Sequence, residues 1–302
     1  MLLRDALRVA EGRLAEAGVP SPDFDARALA AHVLSLPLAQ LPLHRNRPLA
    51  AEDALKFEQA VERRCAREPL QYIVGETEFF GQAIRCDRRA LIPRPDTEVL
   101  VEVALELVRE LAISSLVEVG TGTGAVAIAL AAEAPHLEML ATDLSEAALE
   151  LAAVNVALHD LSQRVTLAHG DCLAPLKAVG WWQRAEMIVS DPPYVRADEF
   201  DSLEPEIARH EPREALVGPD ADGLGFYRRL LPQCAGLPAL RAVAFEVGGG
   251  SAPAVVELVG GALEGFEVSV REDYAGIERV VSAQRGTDGV GQAGDSPGRS
   301  RR

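Results

Sequence analysis

The sequence predicts an α/β protein in which a small helical domain precedes a doubly wound, mostly parallel sheet with an antiparallel edge. Three observations carry that prediction. Residues 1 to about 80 repeat apolar side chains at helical spacing and contain few stretches of strand character. From about Asp96, short apolar runs alternate with helical patterns, the order that builds parallel sheets with crossover helices. Near the end, RAVAFEV, FEVSVRED and ERVVSAQ follow one another with no long helix expected between them. Strands joined that way pair antiparallel.

The elements follow in order. Leu2, Leu3, Ala6, Leu7, Ala10 and Leu14 form one face of a first helix. In SPDFDARALAAHVL, Ser21 is placed as the N-cap and Pro22 at the first helical position, with acids in the first turn. A third helix is expected from Ala51 through Arg64. YIVGETEFFGQAIRCD, within 70–92, mixes β-formers with glycines as a hairpin linker does. These readings divide the chain into a helical domain over 1–80, a hairpin linker over 81–97 and the main domain over 98–285. The main domain starts with a helix over Val99–Leu111. Strand SLVEVG, a glycine loop, helix AVAIALAAEA, strand EMLATD, helix EAALELAAVNVAL, and strands RVTLAH and EMIVS then follow. Residues 286–302, GTDGVGQAGDSPGRSRR, have almost no apolar content and are expected to be a disordered tail.

Composition bounds the function. The 302 residues are 48% hydrophobic, enough for one large or two modest domains with a real core. A formal net charge of −16 repels phosphate backbones, so no direct nucleic-acid partner is expected. Cys65, Cys86, Cys172 and Cys234 lie far apart and form no CxxC pair. Reduced thiols in a cytoplasmic protein are the expectation, with no metal site. MLLRDALRVAEGRL carries charges within its first apolar turns, so neither a signal peptide nor a membrane span is expected.

The chemistry begins at VEVGTGTGAVAIAL, residues 117–130, where Gly120, Gly122 and Gly124 stand between a buried strand and a helix. Glycines there let a ligand approach the backbone, and the helix N-terminus offers free N–H groups. Asp143 ends the next strand, about 20 residues on, where a carboxylate can accept both hydroxyls of a ribose. Asp171, in HGDC, and Asp191 end the two strands after that. Acids at successive parallel strand ends share one rim, where open α/β sheets bind ligands. NAD and S-adenosylmethionine both bring an adenosine ribose. Glu118, just before the glycines, suits a sulfonium and opposes a pyrophosphate, and no lysine or arginine flanks the loop. S-adenosylmethionine is the predicted cofactor.

VSDPPYV, residues 189–195, ends a strand with an acid, two prolines and a tyrosine. The prolines stop the strand and fix the corner rigidly. An amide or exocyclic amine is a poor nucleophile, because its lone pair is delocalised. Acceptors that hold its N–H groups can turn that lone pair toward a methyl donor. Asp191 Oδ and the Pro192 carbonyl are the candidate acceptors, and Tyr194 the candidate stacking partner.

The chain resembles the HemK-type protein-glutamine N5-methyltransferases from about Pro20 to Val281. REPLQYIVGETEFFG, ALIPRPDTEVLVE, EVGTGTGA, ATDLSEAALELAAVNV and LEPEIARHEPREALVGPDADGLGFYRRLL carry the resemblance. It implies a Rossmann-like class I S-adenosylmethionine-dependent methyltransferase domain. It also implies cofactor contacts at Gly120, Thr121, Gly122, Thr123, Gly124, Asp143, Asp171, Cys172 and Asp191. Residues Asp191, Pro192, Pro193 and Tyr194 would hold the substrate glutamine. In that family the glutamine lies in the Gly-Gly-Gln loop of class 1 peptide chain release factors, and the helical domain helps to dock the partner.

The sequence departs from the family where its motif, NPPY, begins with asparagine and this chain has Asp191. An aspartate only accepts hydrogen bonds. A second departure is FEVGGGSAP, which lacks the glutamine often found a few residues after Glu246. Other readings stay open: glutamine methylation of a ribosomal protein, adenine N6 or cytosine N4 methylation of DNA or RNA, or a catalytically weakened module that binds S-adenosylmethionine and a partner. Glu211 and Arg213 are expected to pair with each other or to orient the substrate loop. Arg94 and Asp96 are expected at the active site or in fixing the linker. The histidines show no ligand spacing. Trp181 and Trp182 either cap a strand or form a partner patch.

Overall fold

The structure is a computed structural model in which residues 1–286 are described, so the expected tail lies outside the described residues from 287 onward. Helices α1 (Leu3–Glu16), α2 (Pro22–Val33) and α3 (Ala51–Cys65) pack around Leu3, Leu14, Leu29, Leu41 and Val61. Ser21 does occupy the N-cap of α2, but its side chain makes no capping bond, and Pro22 starts the helix through its fixed φ. Tyr72, Ile73 and Val74, β-formers by type, lie in the short helix α4 (Leu70–Val74). Burial of Tyr72 and Ile73 overrides their local preference. Strands β1 (Glu76–Phe79) and β2 (Gln82–Arg85) form an antiparallel hairpin that straddles residue 80.

The main sheet has seven strands in the order β5-β4-β3-β6-β7-β9-β8. Strands β3 (Ser115–Val119), β4 (Glu138–Asp143), β5 (Val165–His169), β6 (Met187–Ser190) and β7 (Ala242–Glu246) run parallel. Strands β8 (Phe266–Glu272) and β9 (Glu278–Arg285) supply the antiparallel edge. Every residue of β3, β6 and β7 is buried. Successive side chains serve opposite faces, with Leu116, Met187 and Ala244 in one core and Val117, Ile188 and Val243 in the other. Helices α5 (Glu98–Glu110), α6 (Ala125–Glu133) and α7 (Glu146–Leu158) contribute to the first core. Helices α9 (Gly225–Ala235) and α10 (Ala252–Ala262) contribute to the second. Helix α8 (Pro205–His210) lies in the long connection after β6.

Helix α10 corrects the expectation that no long helix separates the last strands. Its 11 residues follow β7, with Ala252, Val255 and Val259 buried along one face. Gly260 and Gly261 masked a helical spacing that burial enforces. The antiparallel edge arises instead from the β8–β9 hairpin.

The chain winds outward from β3 through β4 to β5, then crosses back to β6 on the other side of β3. That reversal opens a crevice at the carboxyl ends of β3 and β6, the place where such sheets bind ligands.

Candidate active site

The glycine loop is held by main-chain bonds. Gly120 N and Thr121 N both donate to Thr142 O, at 2.8 and 3.0 Å. Gly124 has φ +83, and a Cβ there would stand 3.3 Å from Ala152 Cβ. Only glycine lets α6 start this close to α7. Asp143 Oδ2 accepts from Gly122 N and its Oδ1 from Ser145 N, each at 2.8 Å. Burial pushes this carboxyl up, opposed by those N–H bonds. Glu118 is 3% exposed and accepts from Thr121 Oγ1 at 2.7 Å. Burial pushes its pKa up to about 8. A cation beside it would draw it back to the charged form.

A cavity of about 380 Å³ joins these residues. Gly120, Thr121, Gly122, Thr123, Asp143, Asp171, Cys172, Asp191 and Pro193 line it, whereas Gly124, Pro192 and Tyr194 stand behind the wall. Asp171 lies two residues beyond β5 and accepts from Arg229 Nη1 at 3.3 Å. Burial pushes the Cys172 thiol up to about 12, so it is no nucleophile. Two arginines do reach the cavity from elsewhere in the chain, Arg89 and Arg229. Each is tied to an aspartate: Arg89 to Asp87 at 2.7 Å, Arg229 to Asp171.

The acceptor corner is built differently. Ser190 Oγ donates to Val119 O at 2.6 Å and pins the end of β6 to β3. Asp191 is half-buried, its Oδ2 facing Thr97 Oγ1 at 3.4 Å. Burial raises its pKa, with Glu118 adding to the rise and the Thr97 hydroxyl and Arg94 opposing it. Tyr194 turns its hydroxyl away from the cavity, donating to Glu246 Oε1 at 3.1 Å. Its ring fills the space over Gly248, where a Cβ would meet Tyr194 Cδ2 at 3.0 Å. Residues 216–223 enclose the corner from outside. Val195 N donates to Leu216 O and Gly218 N to Val195 O. At Gly223, with φ +73, a Cβ would lie 2.3 Å from Tyr194 O.

Glu211 and Arg213 do not pair with each other. Glu211 accepts from Arg94 Nη2 at 2.5 Å and from Ile92 N at 3.0 Å, which fixes the linker, while Arg213 stacks on Phe200. Asp96 lies 3.6 Å from Arg279. Trp181 is buried in the second core, with Arg184 over its ring, and Trp182 packs on the same core. Among the described residues no cluster of metal ligands occurs. A further buried network joins the helical domain to α8: Arg64 binds Asp25 and Glu206, and Arg67 binds Glu206 at 2.5 Å. Sequence reasoning missed Thr97 and Glu246. Glu246 was within reach of the rule already applied, an acid at the carboxyl end of a parallel strand.

A Rossmann-like sheet whose switch-point crevice carries a glycine loop and an acidic strand-end corner defines a methyltransferase domain. Two family profiles match in agreement: "PrmC N-terminal domain" over residues 5–75 and "Methyltransferase small domain" over 96–210. The release factor glutamine methyltransferase of Cereibacter sphaeroides is 41% identical over 94% of this chain and 99% of its own length. That of Deinococcus radiodurans is 40% identical over 94% and 99%. The chain belongs to the release factor glutamine methyltransferase family. Among solved structures, the N-terminal domain of human METTL16 in complex with SAH shares the fold, with a TM-score of 0.52 at 15% identity over 84% of this chain and 93% of that one. Among the described residues no helix is long and apolar enough to cross a membrane.

Proposed function

We propose that this protein transfers the methyl group of S-adenosylmethionine to the side-chain amide nitrogen of the glutamine in the Gly-Gly-Gln loop of class 1 peptide chain release factors, in the cytoplasm. The observation that carries the reading is that Asp191 stands on the same cavity as the glycine loop and Asp143. Acceptor and cofactor residues therefore face one space. The relatives, release factor glutamine methyltransferases, support the substrate, and the four unpaired cysteines suit a reducing compartment.

The residues fit the cofactor. Each Asp143 oxygen keeps a free lone pair for a ribose hydroxyl after accepting its N–H. Glu118 supplies a carboxyl to a cation, and the arginines at the rim are already neutralised by aspartates. S-adenosylmethionine, held by the glycine loop and Asp143, would supply an electrophilic methyl group to the amide nitrogen and retain the sulfur's electron pair. Asp191 accepts an amide N–H, turns the nitrogen lone pair toward the methyl group and takes the proton that the nitrogen releases. Pro192 and Pro193 hold the corner still, so orientation is set before the substrate arrives. Asp191 adds to the family's asparagine a charge that opposes the positive charge growing on nitrogen.

Purified protein incubated with labelled S-adenosylmethionine and a class 1 release factor tests this reading, with duplex DNA as a parallel acceptor. Label mapped to the Gly-Gly-Gln glutamine is the expected result. Label on DNA alone would overturn it.

A further inference from the structure

Glu246 is a costly residue in an apolar place. It ends β7 with 1% of its surface exposed. Its main-chain carbonyl accepts from Tyr227 Oη at 2.6 Å and its Oε1 from Tyr194 Oη at 3.1 Å, yet its Oε2 is buried without any partner. Buried carboxyl oxygens are normally satisfied, so an orphan marks a position kept for something else. Thr97, the N-cap residue of α5 and 3% exposed, stands close enough for its hydroxyl to act on this carboxyl. Its hydroxyl has a single proton to donate. Asp191 Oδ2 lies 3.4 Å from the hydroxyl oxygen, a long and weak bond that leaves the proton able to visit a second acceptor. The same hydroxyl also holds down the titration of Glu246. Asp191 and Thr97 line the cavity, and Glu246 lies behind it.

We propose that Thr97 and Glu246 are positioning residues for the methyl transfer: the Thr97 hydroxyl is shared between Asp191 and Glu246 in the free protein, and passes wholly to Glu246 when the substrate amide takes its place on Asp191. This rests on the reading of Asp191 as amide acceptor. The exchange frees Asp191 for the substrate without leaving a buried hydroxyl unpaired, and it fills the orphan. Glu246 also locks the Tyr194 ring, so one carboxyl controls both flanks of the corner. Besides each other, the charged and titratable groups that face Asp191 and Glu246 are Glu118 from β3, Arg94 ahead of α5, Tyr194, Tyr227 from α9 and Arg279 from β9.

The test combines a kinetic cycle with a readout that needs no turnover. Thr97→Val and Glu246→Gln should each lower kcat about tenfold, the loss expected for one hydrogen bond, with the cofactor Kd moved less than about twofold. The double variant should be no slower than the slower single one, and Thr97→Ser should restore the rate. Carbon NMR of the carboxyl groups in the unmodified protein and in Thr97→Val should show both Asp191 and Glu246 titrating higher when the hydroxyl is removed. Additive rate losses, or movement of Asp191 alone, would overturn the proposal. Wild-type protein that leaves the release factor unmethylated while both carboxyls still move would overturn the substrate reading and leave the shared hydroxyl standing.

Discussion

On the cofactor side of the crevice, the loop from Gly120 to Gly124 and the Asp143 carboxyl are held by main-chain N–H and C=O groups of β4 and its following turn. On the acceptor side, Asp191 is set among Thr97, Tyr194, Glu246 and Arg279, nearly all of it side-chain chemistry. The first wall is local: residues 117–145 supply both the loop and the groups that bind it. The second gathers Arg94, Asp191, Glu211, Gly223 and Glu246 from segments far apart in the chain. A backbone-held wall tolerates a range of side chains. A wall of buried carboxyls depends on each partner, because a group left unpaired there costs more than the bond it made.

Substitutions on each side sharpen that contrast. The largest effect is expected for Asp191→Ala, with kcat lowered about a thousandfold, the upper end for losing one group aimed at the reacting centre. Calorimetry should find the cofactor Kd within a few-fold of the unmodified protein. A cofactor site that collapsed with it would erase the distinction between the walls. Asp143→Ala should weaken cofactor binding at least about tenfold, since the Gly122 and Ser145 amides and the ribose lose a charged acceptor. Unchanged affinity in the same titration would remove Asp143 from the ribose. The smallest effect concerns Glu118, whose pKa lies at about 8. A bound sulfonium favours the carboxylate, so the pKa falls on binding and affinity is complete above pH 8, declining as pH falls. From pH 8.5 to 7.5 the Kd for S-adenosylmethionine should rise about threefold. S-adenosylhomocysteine, with no sulfonium, should show a flatter profile. Equal profiles would place the sulfonium away from Glu118.

The same contrast explains what the sequence made legible. The alternation of apolar runs and helices was enough for the parallel sheet, the strand character of FEVSVRED and ERVVSAQ marked its antiparallel edge, and the strand-end acids pointed to one rim. Asp143 and the glycine loop could be read because their partners are neighbours in sequence. Helix α10 was hidden by its paired glycines, whose cost in a helix is outweighed by burial of Val255 and Val259. Glu211 was assigned no distant partner because Arg94 stands more than a hundred residues earlier. Arg89 and Arg229 reach the cavity only through the fold, so the absence of basic residues beside the loop said nothing about its rim. Thr97 fell at the end of the expected linker, and only the proximity of two carboxyls gives its hydroxyl a role.

The ion network between the helical domain and α8 gives the molecule a load path. Arg64 and Arg67, at the end of α3, grip Glu206, and five residues later Glu211 grips Arg94 and Ile92 at the cavity rim. Two short polar links therefore join α3 to the cavity rim by a route separate from the chain that connects them. A partner seated on those helices would be geared to the crevice as a handle is to a clamp.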